Sequence, residues 1–537
     1  AVAGLRFVAR IGGTKKSPID RYSYPPQETA VQSGDELRLP DGTNFGSVEA
    51  IDRVARMLDI KKRGVQADVH PAAVFAHSVV NSDVLADALL RIADDVVEHG
   101  ISDGTRYRAA REILIQRPPR LRLGQFEIRE GETAVQFAVG IVADLDDTVL
   151  AIQGPPGAGK TYTGARMICE LVRKGARVGV SAVSHKVIRN LLDAVMKAAD
   201  ESGLQVMCVQ KVQKKSETPS RIEETTNNGA ALARLTDERA NVVGGTLWLW
   251  AKPEALNAVD VLFIDEAGQM SLANVIAASQ AGQSVVLLGD PQQLDQPQQG
   301  SHPEGADVSA LGHILGDHKT IPSDRGIFLP ETWRLAPSIC RFTSEVFYEG
   351  RLSAHAGLEH QALVGTSPIE GAGLWVASVQ HDGHQNSSVE EVDEIDRIVA
   401  GLTRPGARWI DSDEVARSMT ANDVLLVAPY NVQVALLEER LGPRGFRVGT
   451  VDKFQGQEAP VVIYSMATSA PEDAPHGMEF LYNLNRLNVA TSRARCACIL
   501  VASPRLFEPE CKSLRQMQLA NALCRYVELA QAVALTE

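Results

Sequence analysis

VLAIQGPPGAGKTYT, residues 149–163, decides how this chain reads. An apolar run of strand character, VLAIQ, leads into GPPGAGKT, and helical spacing follows. A G-x-x-x-x-G-K-[ST] stretch between a strand and a helix is a phosphate-binding loop. Gly154, Gly157 and Gly159 let the backbone turn its N–H groups inward, with Pro155, Pro156 and Ala158 completing the cradle. Lys160 brings a point charge to the β- and γ-phosphates, and the Thr161 hydroxyl offers a ligand to Mg²⁺. The helix N-terminus adds partial positive charge. The loop calls for a nucleoside triphosphate.

Outward from this loop, strand and helix alternate. ARVGVSAVS, QVMCVQ, NVVGGT, VDVLFIDEA and SVVLLGD read as further strands with helices between, the pattern of a parallel sheet covered on both faces. The pattern restarts near residue 320. Helical stretches at SICRFTSEVFY and EEVDEIDRIVAGL there alternate with strands at DVLLVAPYN, PVVIYSMAT and ACILVAS, without a second phosphate loop. Before residue 65, LRFVARIGG, DRYSYPP and DELRLP alternate apolar and polar residues between turn signals, as in a small β-barrel. VLADALLRIADDVVEHG and TRYRAAREILIQR then carry helical spacing. The expected organisation is a barrel at 1–65, stalk helices at 66–123, α/β domains at 124–320 and 321–505, and a helical tail at 506–537. The polar stretches 213–229, 381–388 and 469–477 read as mobile surface loops.

Composition sets limits. The net charge of −13, from 54 basic and 67 acidic residues, excludes a histone-like surface. Any nucleic acid must be held in a local groove. The seven cysteines form no CxxC pair, which fits reduced thiols in a cytoplasm and argues against a cysteine metal site. Cys496 and Cys498 share one face of a strand and read as core. No apolar run reaches the roughly 18 residues that span a bilayer, and no signal peptide is visible, so no membrane is expected. The first residue is Ala1, as in a processed or truncated piece.

Further chemistry sits at strand ends. VDVLFIDEAGQ ends in Asp265, placed to hold the Mg²⁺ shell, and Glu266, placed to polarise the attacking water. An acidic pair after a strand is otherwise a solvated turn. In VVLLGDPQQLDQP, Gln293 can reach a γ-phosphate, against the plainer reading of an Asp-Pro turn. Arg334 in TWRLAP and Arg493 in ATSRAR offer the positive charge that phosphoryl transfer needs. If both belong to the second domain, hydrolysis depends on domain closure. Arginines paired with nearby carboxylates are the commoner case. Trp248 and Trp250 alternate in a strand-like run and read as core.

The ordered blocks GPPGAGKT, IDEAGQ, GDPQQL, TWRLAP, VDKFQGQE and RLNVATSRAR resemble superfamily 1 helicases. The likeness falls in the 5′-to-3′ branch that contains the nonsense-mediated-decay helicase and the helicase half of the Okazaki-fragment nuclease-helicase. It implies an α/β fold with two tandem RecA-like domains, preceded by a small barrel and stalk helices. It further implies an ATP- and Mg²⁺-dependent motor on single-stranded nucleic acid. DNA is expected rather than RNA by analogy to nuclease fusions, and a monomer is the default expectation. Gln136 matches the glutamine that reads the adenine edge, Trp333 the aromatic that stacks on the base, and Glu458 the acid that binds the ribose. Ser184, His185, Thr246, Thr450, Asp452 and Gln455 match the nucleic-acid contacts. Val183 and His185 depart from the family's proline and asparagine, and Trp333 from its tyrosine. Short Ser, Thr and Gln side chains suit phosphates without reading bases. The IQRPPRL stretch and the missing initiator Met resemble a bacterial fusion in which a RecB-like nuclease lies upstream, and the same is expected here. The rival reading is a nucleotide-gated clamp or scaffold that binds strands without unwinding them.

Overall fold

The run Val149–Gln153 is buried at every position, as a strand inside a parallel sheet must be. A computed structural model describes residues 1–533 apart from 28, 30, 54, 78–79, 103, 296–301, 304 and 455. Gln455 therefore lies outside the described residues. The chain divides into two units. One comprises Ser82–Leu358 with Leu484–Ser492. The other comprises Ala1–Asn81, Glu359–Asn483 and Arg493–Glu537.

In the first unit eight strands form one sheet. They are β1 (Val149–Gln153), β2 (Val178–Ser181), β3 (Cys208–Lys211), β4 (Glu223–Thr225), β5 (Val242–Gly244), β6 (Val259–Ile264), β7 (Gly282–Gly289) and β8 (Gly326–Phe328). Their order is β4-β3-β5-β2-β6-β7-β1-β8, parallel throughout. Helices α1 (Ala134–Ile141), α2 (Lys160–Arg173), α3 (His185–Glu201), α4 (Pro337–Phe347) and α5 (Leu484–Thr491) belong to the same unit.

Three expected boundaries move. β8 pairs with β1 from Gly326↔Ala151 to Phe328↔Gln153, so the unit runs on to Leu358 rather than stopping at 320. Arg334 thus belongs with the phosphate loop, not with the second α/β domain. The region expected as a separate stalk joins the same unit from Ser82. There Glu112 accepts a 2.7 Å hydrogen bond from the Thr148 hydroxyl beside β1, and Arg91 Nη2 donates to the Ala251 carbonyl at 2.9 Å. Finally, α5 returns to this unit from sequence that reads as the second domain. Within 213–229, expected as a loop, β4 pairs with β3. Trp248 and Trp250 lie on a single helical turn, Leu247–Trp250, not on a strand. Trp250 is nonetheless core, and its indole N–H donates to the Gly245 carbonyl at 3.1 Å.

Among the described residues the other unit holds three sheets, the smallest made of the short strands Ala362–Val364, Arg408–Ile410 and Ala416–Ser418. Where a small barrel is expected, seven antiparallel strands between Val2 and Ala76 form a half-barrel around Tyr22, Leu37, Phe45 and Leu58, and extend past residue 65. A second sheet contains β9 (Gly373–Ser378), β10 (Val424–Ala428), β11 (Arg447–Thr450), β12 (Ala459–Ser465), β13 (Ala494–Ala502) and β14 (Gln531–Ala532). Its order is β11-β10-β12-β13-β9-β14, again parallel. The tail is helical over Leu514–Leu529 and closes with β14 against Trp375 and Val376 of β9. Cys496 and Cys498 are buried in β13. The stretch 381–388, expected to be mobile, is pinned instead. The buried His381 ring contacts Ser469 Oγ at 2.7 Å and Glu391 Oε1 at 3.1 Å, and Glu391 accepts the Ala467 N–H at 2.9 Å. No helix among the described residues is long and apolar enough to cross a membrane.

Candidate nucleotide site

Every strand end that the sequence marks out in the first unit lies on one edge of its sheet, the carboxyl-terminal edge where open α/β sheets bind ligands. The phosphate loop follows β1, Asp265 follows β6, and Asp290 follows β7. Thr332, Trp333 and Arg334 come soon after β8. Ser184 and His185 follow β2, and Thr246 follows β5. Sheet order therefore sorts these residues. Those assigned to phosphate sit from β6 toward β8, and those assigned to nucleic acid sit on the opposite side of β6.

The loop is built by its glycines. Gly157 (φ 74°) and Gly159 (φ 80°) adopt the left-handed conformation that side chains disfavour, and Gly159 caps α2. Gly154 N–H donates to the Gly289 carbonyl at 3.0 Å, tying the loop to β7. The segment after β8 closes over the other side. Trp333 N–H donates to the Gly157 carbonyl at 3.0 Å, and the Thr332 hydroxyl donates to the Pro156 carbonyl at 2.8 Å. A Cβ on Gly157 would lie 2.6 Å from Arg334 Cβ and 2.7 Å from Thr332 Oγ1. Arg334 thus packs on the loop itself, and its Nη1 donates to the Ser492 carbonyl at the end of α5, at 3.4 Å. Lys160 Nζ donates to the Gly154 carbonyl at 2.6 Å, and Thr161 is half-buried in the first turn of α2.

Beside the loop opens a cavity of about 1050 Å³ lined by Gln136, Gly157, Ala158, Gly159, Tyr162 and Trp333, among others. Residues distant in sequence, assigned separately to base and phosphates, share one wall. Trp333 is 59% exposed. His355 stacks on the Trp333 ring at 3.4 Å between centroids and 23° between planes, and contacts Glu331 through Nδ1 at 2.8 Å. Tyr162 and His355 escaped the sequence reading. Tyr162 follows the loop's Lys-Thr pair directly, so its place on an exposed first helical turn was available as a signal. Nothing in the sequence around His355 announces its stack.

The acids lie deeper. Asp265 is buried, and its Oδ1 accepts the Glu266 N–H at 2.9 Å. Burial first, and the Glu266 charge next, push the Asp265 carboxyl up to about 7, while Lys160 acts in the opposite direction. Glu266 has a left-handed backbone, φ 56°, unusual for a residue with a side chain. Gln293, expected to face a γ-phosphate, is buried, and its Nε2 donates to Asp290 Oδ2 at 2.9 Å. The Tyr348 hydroxyl donates to the same oxygen at 2.6 Å, and Asn488 of α5 donates to Tyr348 at 2.9 Å. The Asp-Pro turn thus carries a hydrogen-bonded cluster that reaches α5.

Ser184 caps α3, its Oγ accepting the Val187 N–H at 3.3 Å. His185 opens that helix, and burial with help from the Lys211 charge lowers its imidazole from the usual value. Thr246 caps the turn Leu247–Trp250. In the other unit Thr450 ends β11, Asp452 is exposed on the following helical turn, and Glu458 pairs with Arg495. Arg493 is 3% exposed, and its carbonyl accepts the Ala459 N–H at 3.0 Å.

Residues 136–306 and 308–505 match two families, each described as AAA domain. DNA-binding protein SMUBP-2 of Mesocricetus auratus is 26% identical over 67% of this chain and 41% of its own length. DNA replication ATP-dependent helicase/nuclease JHS1 of Arabidopsis thaliana is 23% identical over 66% of this chain and 27% of its own. DNA polymerase alpha-associated DNA helicase A of Schizosaccharomyces pombe is 24% identical over 68% of this chain and 62% of its own. The chain spans less than two thirds of each of these relatives. The ordered motifs, the two parallel sheets and these relatives together make the chain similar to the superfamily 1 helicases.

Proposed function

We propose that this chain is an ATP-driven helicase or translocase that moves on single-stranded DNA from 5′ to 3′. One observation carries the reading. A single sheet edge gathers a phosphate loop, a cavity of about 1050 Å³ walled in part by Gln136 and Trp333, and a buried acid at Asp265, with Ser184, His185 and Thr246 on the neighbouring strand ends. Nucleotide chemistry and strand contacts then share one rigid element, as coupling between them requires.

The residues fit a hard divalent cation. Asp265 is a buried carboxylate whose ionised form lacks a basic hydrogen-bond partner among the described residues, and Thr161 adds a hydroxyl oxygen. These two would hold Mg²⁺, which neutralises charge between the β- and γ-phosphates when bound. Lys160 grips those phosphates, and Glu266 orients and polarises the attacking water. Gln293, held by Asp290, senses the γ-phosphate. Arg334 and Arg493 supply the positive charge that neutralises the transferring group. Trp333 stacks on the base, and Glu458 takes the ribose. Thr450, Asp452 and Gln455 add strand contacts to those of Ser184, His185 and Thr246. The protein acts as a monomer in the cytoplasm, with a nuclease domain upstream in the whole protein. The relative named helicase/nuclease supports that last reading.

Strand displacement on DNA and RNA duplexes with 5′ or 3′ single-stranded tails tests the proposal. ATP-dependent opening of 5′-tailed DNA is expected. ATP hydrolysis indifferent to added strand, with no displacement on any substrate, would favour a clamp instead.

A further inference from the structure

We infer that Gln136 makes this site select purines without selecting adenine, so that GTP serves it as well as ATP does. The inference rests on the nucleotide-site reading above and specifies its substrate class.

One carbonyl oxygen decides what this wall can read. Reading adenine takes both ends of a glutamine amide. The oxygen must accept from the 6-amino group, and the nitrogen must donate to N7. Here the oxygen is committed. Gln136 Oε1 accepts the Thr133 backbone N–H at 2.9 Å and the Thr133 hydroxyl at 3.1 Å, while Gln136 N–H donates back to Thr133 Oγ1 at 3.2 Å. This is a complete capping box at the start of α1. Two donors fill the two lone pairs of a carbonyl oxygen. The assignment of O and N in this amide follows from chemistry, because a backbone N–H can only meet the oxygen. Gln136 Nε2, by contrast, makes no hydrogen bond among the described residues, and Gln136 lines the cavity that Trp333 also lines.

The cavity therefore meets a base with a donor at this position. Guanine presents two acceptors on that edge, N7 and O6, whereas adenine presents N7 beside a donor. A donor-only glutamine reads N7, which both purines carry, and gains nothing from the 6-amino group. Pyrimidines lack N7 and offer Trp333 a smaller ring to stack on. The carboxylates elsewhere on the wall already have partners. Glu132 accepts the Arg129 N–H at 3.1 Å, and Glu331 contacts His355.

Steady-state hydrolysis of ATP, GTP, CTP and UTP by the whole chain, with single-stranded DNA present, tests this. The expected kcat/KM for GTP lies within about threefold of that for ATP, with CTP and UTP at least about tenfold poorer, the scale of one lost base-edge contact. Thr133→Val removes one of the two donors to Oε1 and should raise the ATP-to-GTP ratio about tenfold through KM. Gln136→Leu should bring the pyrimidines within about threefold of the purines. A wild-type preference for ATP over GTP beyond about threefold would overturn the inference while leaving the nucleotide site standing. Hydrolysis of none of the four would instead overturn the nucleotide-site reading itself.

Discussion

At the end of β1 the six residues 154–159 separate strand from helix, whereas at the end of β10 only Pro429 and Tyr430 stand before the helix Asn431–Leu441. Both turns leave a buried parallel strand and enter a helix. The first is lined with glycine, two of its residues are left-handed, and it borders a cavity. The second is filled. Tyr430 is fully buried and stacks with Phe480 at 5.4 Å between ring centroids. The two sheets share an architecture, and the difference lies in what occupies the turn. A glycine-rich backbone borders a cavity in one, and an aromatic side chain closes the other. Chemistry in this molecule is thus a property of a turn on a shared scaffold rather than of the scaffold.

Breaking the open turn should have the largest effect. Lys160→Ala removes the loop's cation and should lower kcat for ATP by about 10³-fold or more, with the thermal unfolding midpoint unchanged. Breaking the filled turn should do the reverse. Tyr430→Ala empties a core site and should cost about 3 kcal/mol in urea unfolding, while the remaining folded protein keeps its KM for ATP. The smallest effect sharpens the contrast. Gly157→Ala forces a side chain into a left-handed position and against Arg334 and Thr332, and should cost about 1–2 kcal/mol of stability. Nucleotide affinity, followed by titration with a fluorescent ATP analogue, should fall in the same variant.

How much of this the sequence discloses depends on the range of the interaction. β1 and its loop are local, and 15 consecutive residues suffice to read them. Asp265 and Glu266 are equally local, since a strand of six residues delivers them to the edge. The place of Arg334 is not local. It rests on β8 pairing with a strand more than 170 residues earlier, and no periodicity reports such a partner. The return of α5 is similar, because Asn488 finds Tyr348 and the Gln292 carbonyl across a long stretch of chain. Ser184 shows two readings holding at once, a helix cap that also stands on the ligand edge. Gln136 shows a signal present but read for something else. Thr133-x-x-Gln136 before an apolar run is a capping-box signature, and the amide that caps the helix is the one assigned to the base. The pinning of 381–388 was hidden for a simpler reason. Polar residues mark loops in general, and only the fold shows His381 meeting Glu391 and Ser469 out of solvent.

The central claim is that one sheet edge couples nucleotide hydrolysis to a bound strand. The most direct measurement is the ATP turnover of the whole chain with and without a single-stranded DNA oligonucleotide, at fixed salt. Turnover should be slow alone and rise about tenfold or more with the strand, and Lys160→Ala should abolish it. Equal rates with and without strand, or undiminished turnover in the lysine variant, would contradict that claim.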